Sequence, residues 1–502
     1  MADRGSIDTV GIVGAGAMGA GIAQVAATGG MTVRLHDIDP AAIDRALSEV
    51  SARIDRLAEK GRLSAEAATA ARARLHPAPT LADLAPSGLV VEAVVEKLEL
   101  KQTLFAELET HVGPETILAS NTSSLPIGAI ARACRRPERV AGMHFFNPVP
   151  LMRLVEIIPA ARTAPSVVAA LTEAARRMGR EPVTVTDSPG FLVNLGGRPY
   201  LQEALHILQE GVAPVPVIDR AMRACGFRLG PFELMDLTGL DVNWPASRVI
   251  HDGFMADPRL RTTPRHRLMA ESGLLGRKTG QGHYRYGADG RPVAEPVAEP
   301  AEAPTPAATA VSLAEPDPAL QALVEGAGLH LLPDDDGTAP ILVAPLGEDA
   351  TAAALRLGLP PARLVAVDMT GPTDRHLTLM QAPGSGRQAA QALAAALATP
   401  EREVAVIGDS CGFIGQRMLA MIANLGCEMA QTGLAAPADI DRAMTLGLNY
   451  PQGPLALCAA LGPRRVLTIL ETLQRLTGDD RYRPSLWLRR RAALELPIHT
   501  PD

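Results

Sequence analysis

Aromatic side chains make up only 3% of this 502-residue chain, although 47% of it is hydrophobic. Its cores must therefore be built from aliphatic residues and alanine. Cysteines are few and scattered: the five, at positions 134, 225, 411, 427 and 458, form no Cys-x-x-Cys and have no histidine at metal-ligand spacing. That argues against a disulfide framework or a zinc site, and buried thiols in a reducing cytosol are expected. No run of 18 apolar residues occurs, and no charged-then-apolar leader precedes the first strand-like segment, so the expected location is the cytoplasm. The net charge of −7 and pI near 5.9 argue against nucleic acid or an anionic membrane as partner. A local basic patch for a phosphorylated ligand stays open. At this length two to four domains are expected.

What is present is a β-α-β alternation. Residues 9–13 read as a buried strand, 17–28 as a small-residue helix, and 31–35 as a second strand ending at His36-Asp37. A charged helical stretch over about 39–75 follows, then strands at 88–95 and 116–120 separated by a helix near 100–112. This pattern predicts an α/β fold with a Rossmann-type, doubly wound parallel sheet over 1–186 and ligand sites at the strand C-termini. From Asp187 helical signals take over, at 199–210, 215–225 and 232–237, and predict an all-α domain over 187–286. Residues 287–318, rich in Ala, Glu and seven prolines, read as a linker.

Beyond it lies an internal repeat. Asp187-Ser188-Pro189-Gly190-Phe191 reappears as Asp409-Ser410-Cys411-Gly412-Phe413, Ile218-Asp219-Arg220-Ala221-Met222 as Ile440-Asp441-Arg442-Ala443-Met444, and Gly230-Pro231 as Gly453-Pro454. Residues 404–502 are thus expected to form a second, degenerate copy of the helical domain. Residues 319–403 read as a degenerate α/β segment that lacks a glycine-rich turn and binds no nucleotide. The repeat has Gln416 at the position of Asn194 and, by rough alignment, Asp368 at that of His144. The second copy is therefore expected to be non-catalytic, taking the place that a second subunit's helical domain fills in a dimer. A homodimer or homo-oligomer of the whole chain stays open.

Gly14-Ala15-Gly16-Ala17-Met18-Gly19 follows the first strand and opens the first helix. Gly14 permits the tight turn, Gly16 lets the backbone approach a pyrophosphate, and Gly19 allows close helix–strand packing. Asp37, eighteen residues past Gly19, suits the ribose hydroxyls and would repel a 2′-phosphate, which favours NAD. His144 ends an apolar run, and Glu156 is the one charge inside residues 154–158. A carboxylate there needs a partner, and a His–Glu pair makes a general base. The plainer alternative is a core histidine beside a solvated glutamate. Asn121-Thr122-Ser123-Ser124 offers polar groups at a strand end, or simply a helix cap. Glu96 and Lys101 lie near the cofactor end of the sheet, or at a solvated helix start.

Residues 8–285 resemble the short-chain 3-hydroxyacyl-CoA dehydrogenase family. The resemblance rests on the motifs at 14–19, 91–96, 120–124, 144–148, 154–156, 187–194, 230–233 and 276–280. It implies oxidation of an (S)-3-hydroxyacyl-CoA with hydride transfer to NAD, His144 as base, Glu156 as its orienting carboxylate, and Ser123 and Asn194 as substrate-positioning donors. It also implies that Met18 and the glycine loop, Asp37, Glu96, Lys101, Asn147 and Lys278 contact NAD, and that Ser51, Arg56 and Lys60 meet CoA. The length and second helical copy are similar to a bacterial branch acting on 3-hydroxyadipyl-CoA in phenylacetate breakdown, with 3-hydroxybutyryl-CoA as the simpler substrate. Leu195 departs from the Asn-Arg of simpler members, and Arg198 or Arg153 would supply the cation for a dicarboxylic chain. No hydratase module is recognisable, so a multifunctional β-oxidation protein is not expected. The rival readings are a dehydrogenase of a free 3-hydroxy acid and a catalytically silent CoA-thioester binder.

Overall fold

The computed structural model describes residues 7–293 and 305–501. The chain divides into two units, the residues up to Leu195 with Thr432–Leu448, and Gly196–Gln431 with the residues from Asn449 onward. The first unit holds an eight-stranded sheet: β1 (Thr9–Val13), β2 (Thr32–His36), β3 (Leu75–Pro77), β4 (Leu89–Glu92), β5 (Ile117–Ser120), β6 (Val140–Phe145), β7 (Leu154–Pro159) and β8 (Glu181–Thr184). Their order is β3-β2-β1-β4-β5-β6-β7-β8, parallel throughout except for the antiparallel pair β6–β7. The continuous apolar runs of β1, β4 and β5 are what a sheet covered on both faces requires. Helices α1 (Ala17–Thr28), α2 (Pro40–Glu59), α3 (Ala65–Ala73), α4 (Leu98–His111), α5 (Ile127–Ala131), α6 (Pro165–Arg177) and the one-turn α7 (Val193–Gly196) complete this stretch.

Three expectations are corrected here. The charged stretch 39–75 is two helices: Gly61 turns left-handed at φ 66, and the Ser64 hydroxyl caps the second by accepting the Ala67 N–H. The short edge strands β3 and β8, each containing a proline, carry too little apolar pattern to be read in advance. Two of the cysteines, Cys427 and Cys458, are buried, whereas Cys134, Cys225 and Cys411 are half-buried, and none of the five is in a disulfide.

In the second unit the helices α8 (Arg198–Gln209), α9 (Val215–Ala224), α10 (Pro231–Thr238), α11 (Leu240–Gly253) and α12 (Pro264–Glu271) come first. A second sheet follows, of β9 (Ala310–Leu313), β10 (His330–Leu331), β11 (Ile341–Val343), β12 (Leu364–Val367), β13 (His376–Met380) and β14 (Glu403–Ile407), in the order β10-β9-β11-β12-β13-β14. Only β12–β13 is antiparallel. Strand β9, with Val311 fully buried, lies inside the stretch expected as linker; residues 294–304 of that stretch lie outside the described residues. The proline-rich context hid four residues whose apolar faces the sheet takes up.

Interleaved with and after this sheet come α13 (Pro318–Gly326), α14 (Ala350–Leu357), α15 (Gln388–Leu397), α16 (Ile414–Gln431), α17 (Pro437–Leu448), α18 (Pro454–Leu461), α19 (Pro463–Thr477) and α20 (Leu486–Leu494). Helix α17 belongs to the first unit, where a methyl added at Gly447 would stand 3.0 Å from Leu154 and Val193. Within the second unit, α16 packs along α8 over a buried ion network. Arg417, 2% exposed, binds Glu203 at 2.7 Å and Glu210 at 2.6 Å, and Arg481 and the Tyr482 hydroxyl reach the same carboxylates. Removing one member of such a network strands a buried charge, at a cost of about 3–5 kcal/mol. No helix among the described residues is long and apolar enough to cross a membrane.

Candidate active site

The antiparallel register sets His144, near the end of β6, directly opposite Glu156 in β7. Met143, Phe145, Val155 and Ile157 are buried on both strands and carry the two polar side chains in with them; Glu156 is fully enclosed. His144 Nδ1 lies 2.6 Å from Glu156 Oε2. The other oxygen, Oε1, accepts the N–H groups of Leu192 at 3.0 Å and Val193 at 2.9 Å. The buried carboxyl group thus has its acceptors filled by backbone and imidazole without a fixed cation. Phe191, which precedes these two N–H groups, is left-handed at φ 49, a strained state for a phenylalanine. Its ring packs 5.9 Å from the imidazole, with Phe146 at 4.4 Å. With Nδ1–H donated to Glu156, Nε2 is the basic nitrogen, and it has no partner among the described residues. Such a group takes a proton at Nε2 while the carboxylate stabilises the resulting cation.

Asn194 Nδ2 donates to the Ser123 carbonyl at 3.4 Å, so the two expected substrate donors do meet. Ser123 is held by its own N–H, which donates to Glu96 Oε1 at 3.0 Å. The same oxygen accepts the hydroxyls of Thr122 at 2.6 Å and Ser124 at 3.0 Å. Burial works against the Glu96 charge, but the Thr122 hydroxyl and the Lys101 ammonium outweigh it and hold the carboxyl below its ordinary range. Glu96 is therefore an anchor of the 121–124 loop. Lys101, expected at the cofactor, is 1% exposed, with its ammonium 2.5 Å from Glu92 and 3.2 Å from Glu96. Its charge serves those two carboxylates. Asn121, whose specific task was not foreseen, accepts the Phe145 N–H at 2.8 Å and fixes the strand end beside His144.

A cavity of about 610 Å³ opens at the C-terminal ends of β1, β2 and β4, lined by Gly14, Gly16, Asp37, Ile38, Val94, Val95 and Leu100 among others. A methyl on Gly14, at φ 110, would stand 2.5 Å from the Ala93 carbonyl, whereas one on Gly16 would meet nothing within 4 Å. The first glycine is required by the fold; the second leaves space for a ligand. Asp37 accepts the Ala15 N–H at 2.7 Å, and Met18 packs half-buried against the sheet core. The shape, the glycine turn and the acid at the second strand end fit the adenosine and pyrophosphate of NAD.

A second cavity, of about 470 Å³, lies between α1, the C-terminal half of α2 and the β6–β7 turn. Arg56 and Lys60 line it as expected, joined by Arg53, Arg62 and Arg180, which the sequence reading missed; 53 and 56 share one face of α2 by their spacing, and Lys60 caps the end of that helix. Ser51 does not line it; its hydroxyl donates to the Leu47 carbonyl within the helix at 2.8 Å. Asn147, expected at NAD, lines this cavity instead. Arg180 donates to the carbonyls of Val149 at 3.1 Å and Met152 at 2.8 Å, clamping the turn that joins β6 and β7. Lys278 belongs to the second unit and pairs with Asp241 at 2.5 Å. Arg153 is paired with Glu181. Arg198, also in the second unit, donates to Ser247 at 2.9 Å, and burial pushes its pKa down to about 10. Among the described residues no cluster of His, Cys, Asp and Glu is fit to hold a metal.

Sequence comparison matches residues 9–188 to the 3-hydroxyacyl-CoA dehydrogenase NAD-binding domain, and residues 190–286 and 412–496 to the C-terminal domain of the same family. The chain belongs to the 3-hydroxyacyl-CoA dehydrogenase family. It is accordingly an NAD-binding oxidoreductase, and its C-terminal family domain recurs, as the repeat predicts. The chain is 39% identical over 98% of its length to the 3-hydroxyadipyl-CoA dehydrogenase of Escherichia coli, covering 98% of that protein. It is 43% identical over 55% of its length to a probable 3-hydroxybutyryl-CoA dehydrogenase of Deinococcus radiodurans, covering 99% of that protein. Among solved structures, a 3-hydroxybutyryl-CoA dehydrogenase from Escherichia coli aligns with a TM-score of 0.84 at 38% identity, over 98% of this chain and 99% of that one.

Proposed function

We propose that this chain oxidises an (S)-3-hydroxyacyl-CoA at C3 to the 3-oxoacyl-CoA, with His144 as the base. The observation that carries the reading is the 2.6 Å pair of His144 with a Glu156 whose remaining oxygen is saturated by two backbone N–H groups. When bound, NAD would take the hydride from C3. His144 Nε2 removes the hydroxyl proton, and Glu156 stabilises the imidazolium only while that proton is held. The Ser123 hydroxyl and the Asn194 amide orient the C3 oxygen and so fix which face of C3 meets the cofactor. Arg53, Arg56, Lys60 and Arg62 supply the charge that draws the phosphates of CoA into the second cavity.

Within this class we favour a dicarboxylic thioester such as 3-hydroxyadipyl-CoA. The relative named for that substrate matches along 98% of both chains, second helical copy included, and a solved structure named for 3-hydroxybutyryl-CoA matches over the same extent, which makes the butyryl thioester the rival substrate to test. NADH absorbance with 3-hydroxyadipyl-CoA, 3-hydroxybutyryl-CoA and free 3-hydroxybutyrate tests both levels. The thioesters are expected to exceed the free acid in kcat/KM by about 10³ or more, through the binding energy of the nucleotide end. Equal values for the free acid would overturn the thioester reading, and a clear preference for the butyryl substrate would overturn the dicarboxylic one.

A further inference from the structure

Gln24 stands apart among the residues of the cationic cavity. It lies on the face of α1 that also carries Ala17, Gly21 and Thr28, spaced at i, i+4, i+7 and i+11, and this face packs on the β6–β7 turn: a methyl at Gly21 would stand 2.8 Å from Val149. Ala17, Gln24 and Thr28 line the cavity together with the five cations. Gln24 is 5% exposed, yet its side-chain Oε1 is enclosed with no hydrogen-bond donor. Its neighbours do not supply one. Thr28 donates its hydroxyl to the Gln24 backbone carbonyl at 2.9 Å, and the Arg180 guanidinium is engaged by the carbonyls of Val149, Met152 and Met178. A buried amide carbonyl without a donor destabilises the free protein. Its terminal torsion is soft, so the group can turn toward a ligand. Phosphates are acceptors and cannot satisfy it; an N–H group can.

We propose that Gln24 accepts a hydrogen bond from an N–H of the CoA moiety, either the adenine amino group or a pantetheine amide. This rests on the CoA reading of the cavity. In that reading the cations provide attraction for the phosphates, and Gln24 provides recognition of the uncharged part of the same ligand.

The test replaces the amide by an apolar group of similar length, Gln24→Leu, with Gln24→Met as a second variant should leucine disturb packing. The KM for 3-hydroxybutyryl-CoA is expected to rise about fivefold to tenfold, the loss of one neutral hydrogen bond, with kcat and the KM for NAD unchanged. The melting temperature of the ligand-free chain is expected to hold or rise, since the unsatisfied group is gone; a purely structural role would move it the other way. Repeating the measurement on 3-hydroxybutyryl-pantetheine separates the two donors: a loss that persists assigns the pantetheine amide, and a loss that vanishes assigns the adenine. A wild-type KM in both Gln24 variants, alongside a KM raised at least tenfold in Arg56→Ala/Lys60→Ala, would overturn the role of Gln24 alone. A wild-type KM in the double variant as well would overturn the CoA reading with it.

Discussion

The two sheets of this chain keep the same scaffold around different centres. Asp187 accepts the N–H groups of Ile127 and Gly128 at the start of α5, at 3.0 and 2.8 Å. Asp409, its repeat partner, accepts those of Ala350 and Thr351 at the start of α14, at 2.7 and 3.2 Å. In both sheets a parallel strand pair leads into one antiparallel pair, β6–β7 and β12–β13. Where His144 faces Glu156, Asp368 follows β12 and its N–H bonds the Thr378 carbonyl at 3.0 Å. Gln416 stands at the Asn194 position, accepting the Gly347 N–H at 2.9 Å and donating to the Pro345 carbonyl at 2.9 Å and to Asp368 at 3.3 Å. Burial pushes the Asp368 carboxyl up from its ordinary range. The capping contacts that hold strand to helix have persisted in both halves. The His–Glu pair stands in only one.

The largest contrast is expected at the centres themselves. His144→Gln or Glu156→Gln should lower kcat by about 10²–10⁴, the range of a lost general base, with NAD affinity retained. Asp368→Ala should leave kcat within about twofold. NADH absorbance reads the rates and fluorescence titration the affinity, and near-normal turnover in His144→Gln would sink the assignment. Next, Asn194→Ala should reduce kcat/KM by about tenfold to a hundredfold, the loss of a positioning bond in the transition state, whereas Gln416→Ala should change stability and no kinetic parameter.

The caps come third. Asp187→Ala and Asp409→Ala should each cost about 0.5–2 kcal/mol of stability in urea unfolding, but only the first should also lower kcat, because α5 follows directly on the Ser123 loop. If both lower kcat equally, the second copy is coupled to catalysis. The smallest effect is at Asp368. A carboxyl raised on folding contributes stability that is intact at acid pH and lost as pH rises from the ordinary carboxylate range through its folded value. Asp368→Asn should therefore equal the wild type in acid and melt about 2–4 °C higher at neutral pH, for about 1 kcal/mol gained. A pH-independent difference would contradict a raised carboxyl.

Much of the site was legible because it is local. The Gly14–Gly19 turn and Asp37 belong to one β-α-β unit, and the register of a short proline-bounded hairpin sets His144 against Glu156. What escaped the reading is non-local or weakly patterned. Val311 sits in a proline-rich stretch, so β9 was read as linker. Lys101 is read from the sequence as a cofactor contact or a solvated helix start, and only the packing of α4 encloses it against Glu92 and Glu96. Arg53 was legible in hindsight as a further basic residue on the face of Arg56; Arg180, 120 positions past Lys60, was not.

By itself the sequence determined the doubly wound fold, the cofactor turn, the pairing of His144 with Glu156, and the existence of a second, altered copy. These follow from periodicity and from residue types whose chemistry holds wherever the backbone puts them. Only the tertiary structure decided how Glu156 finds its hydrogen-bond donors in a dry interior, which is through the N–H groups of Leu192 and Val193, 36 and 37 positions away. It alone gathered five cations and Gln24 around one cavity and gave Lys101 to two carboxylates. Burial and hydrogen-bond satisfaction depend on which distant segments the fold brings together, and no local pattern records that.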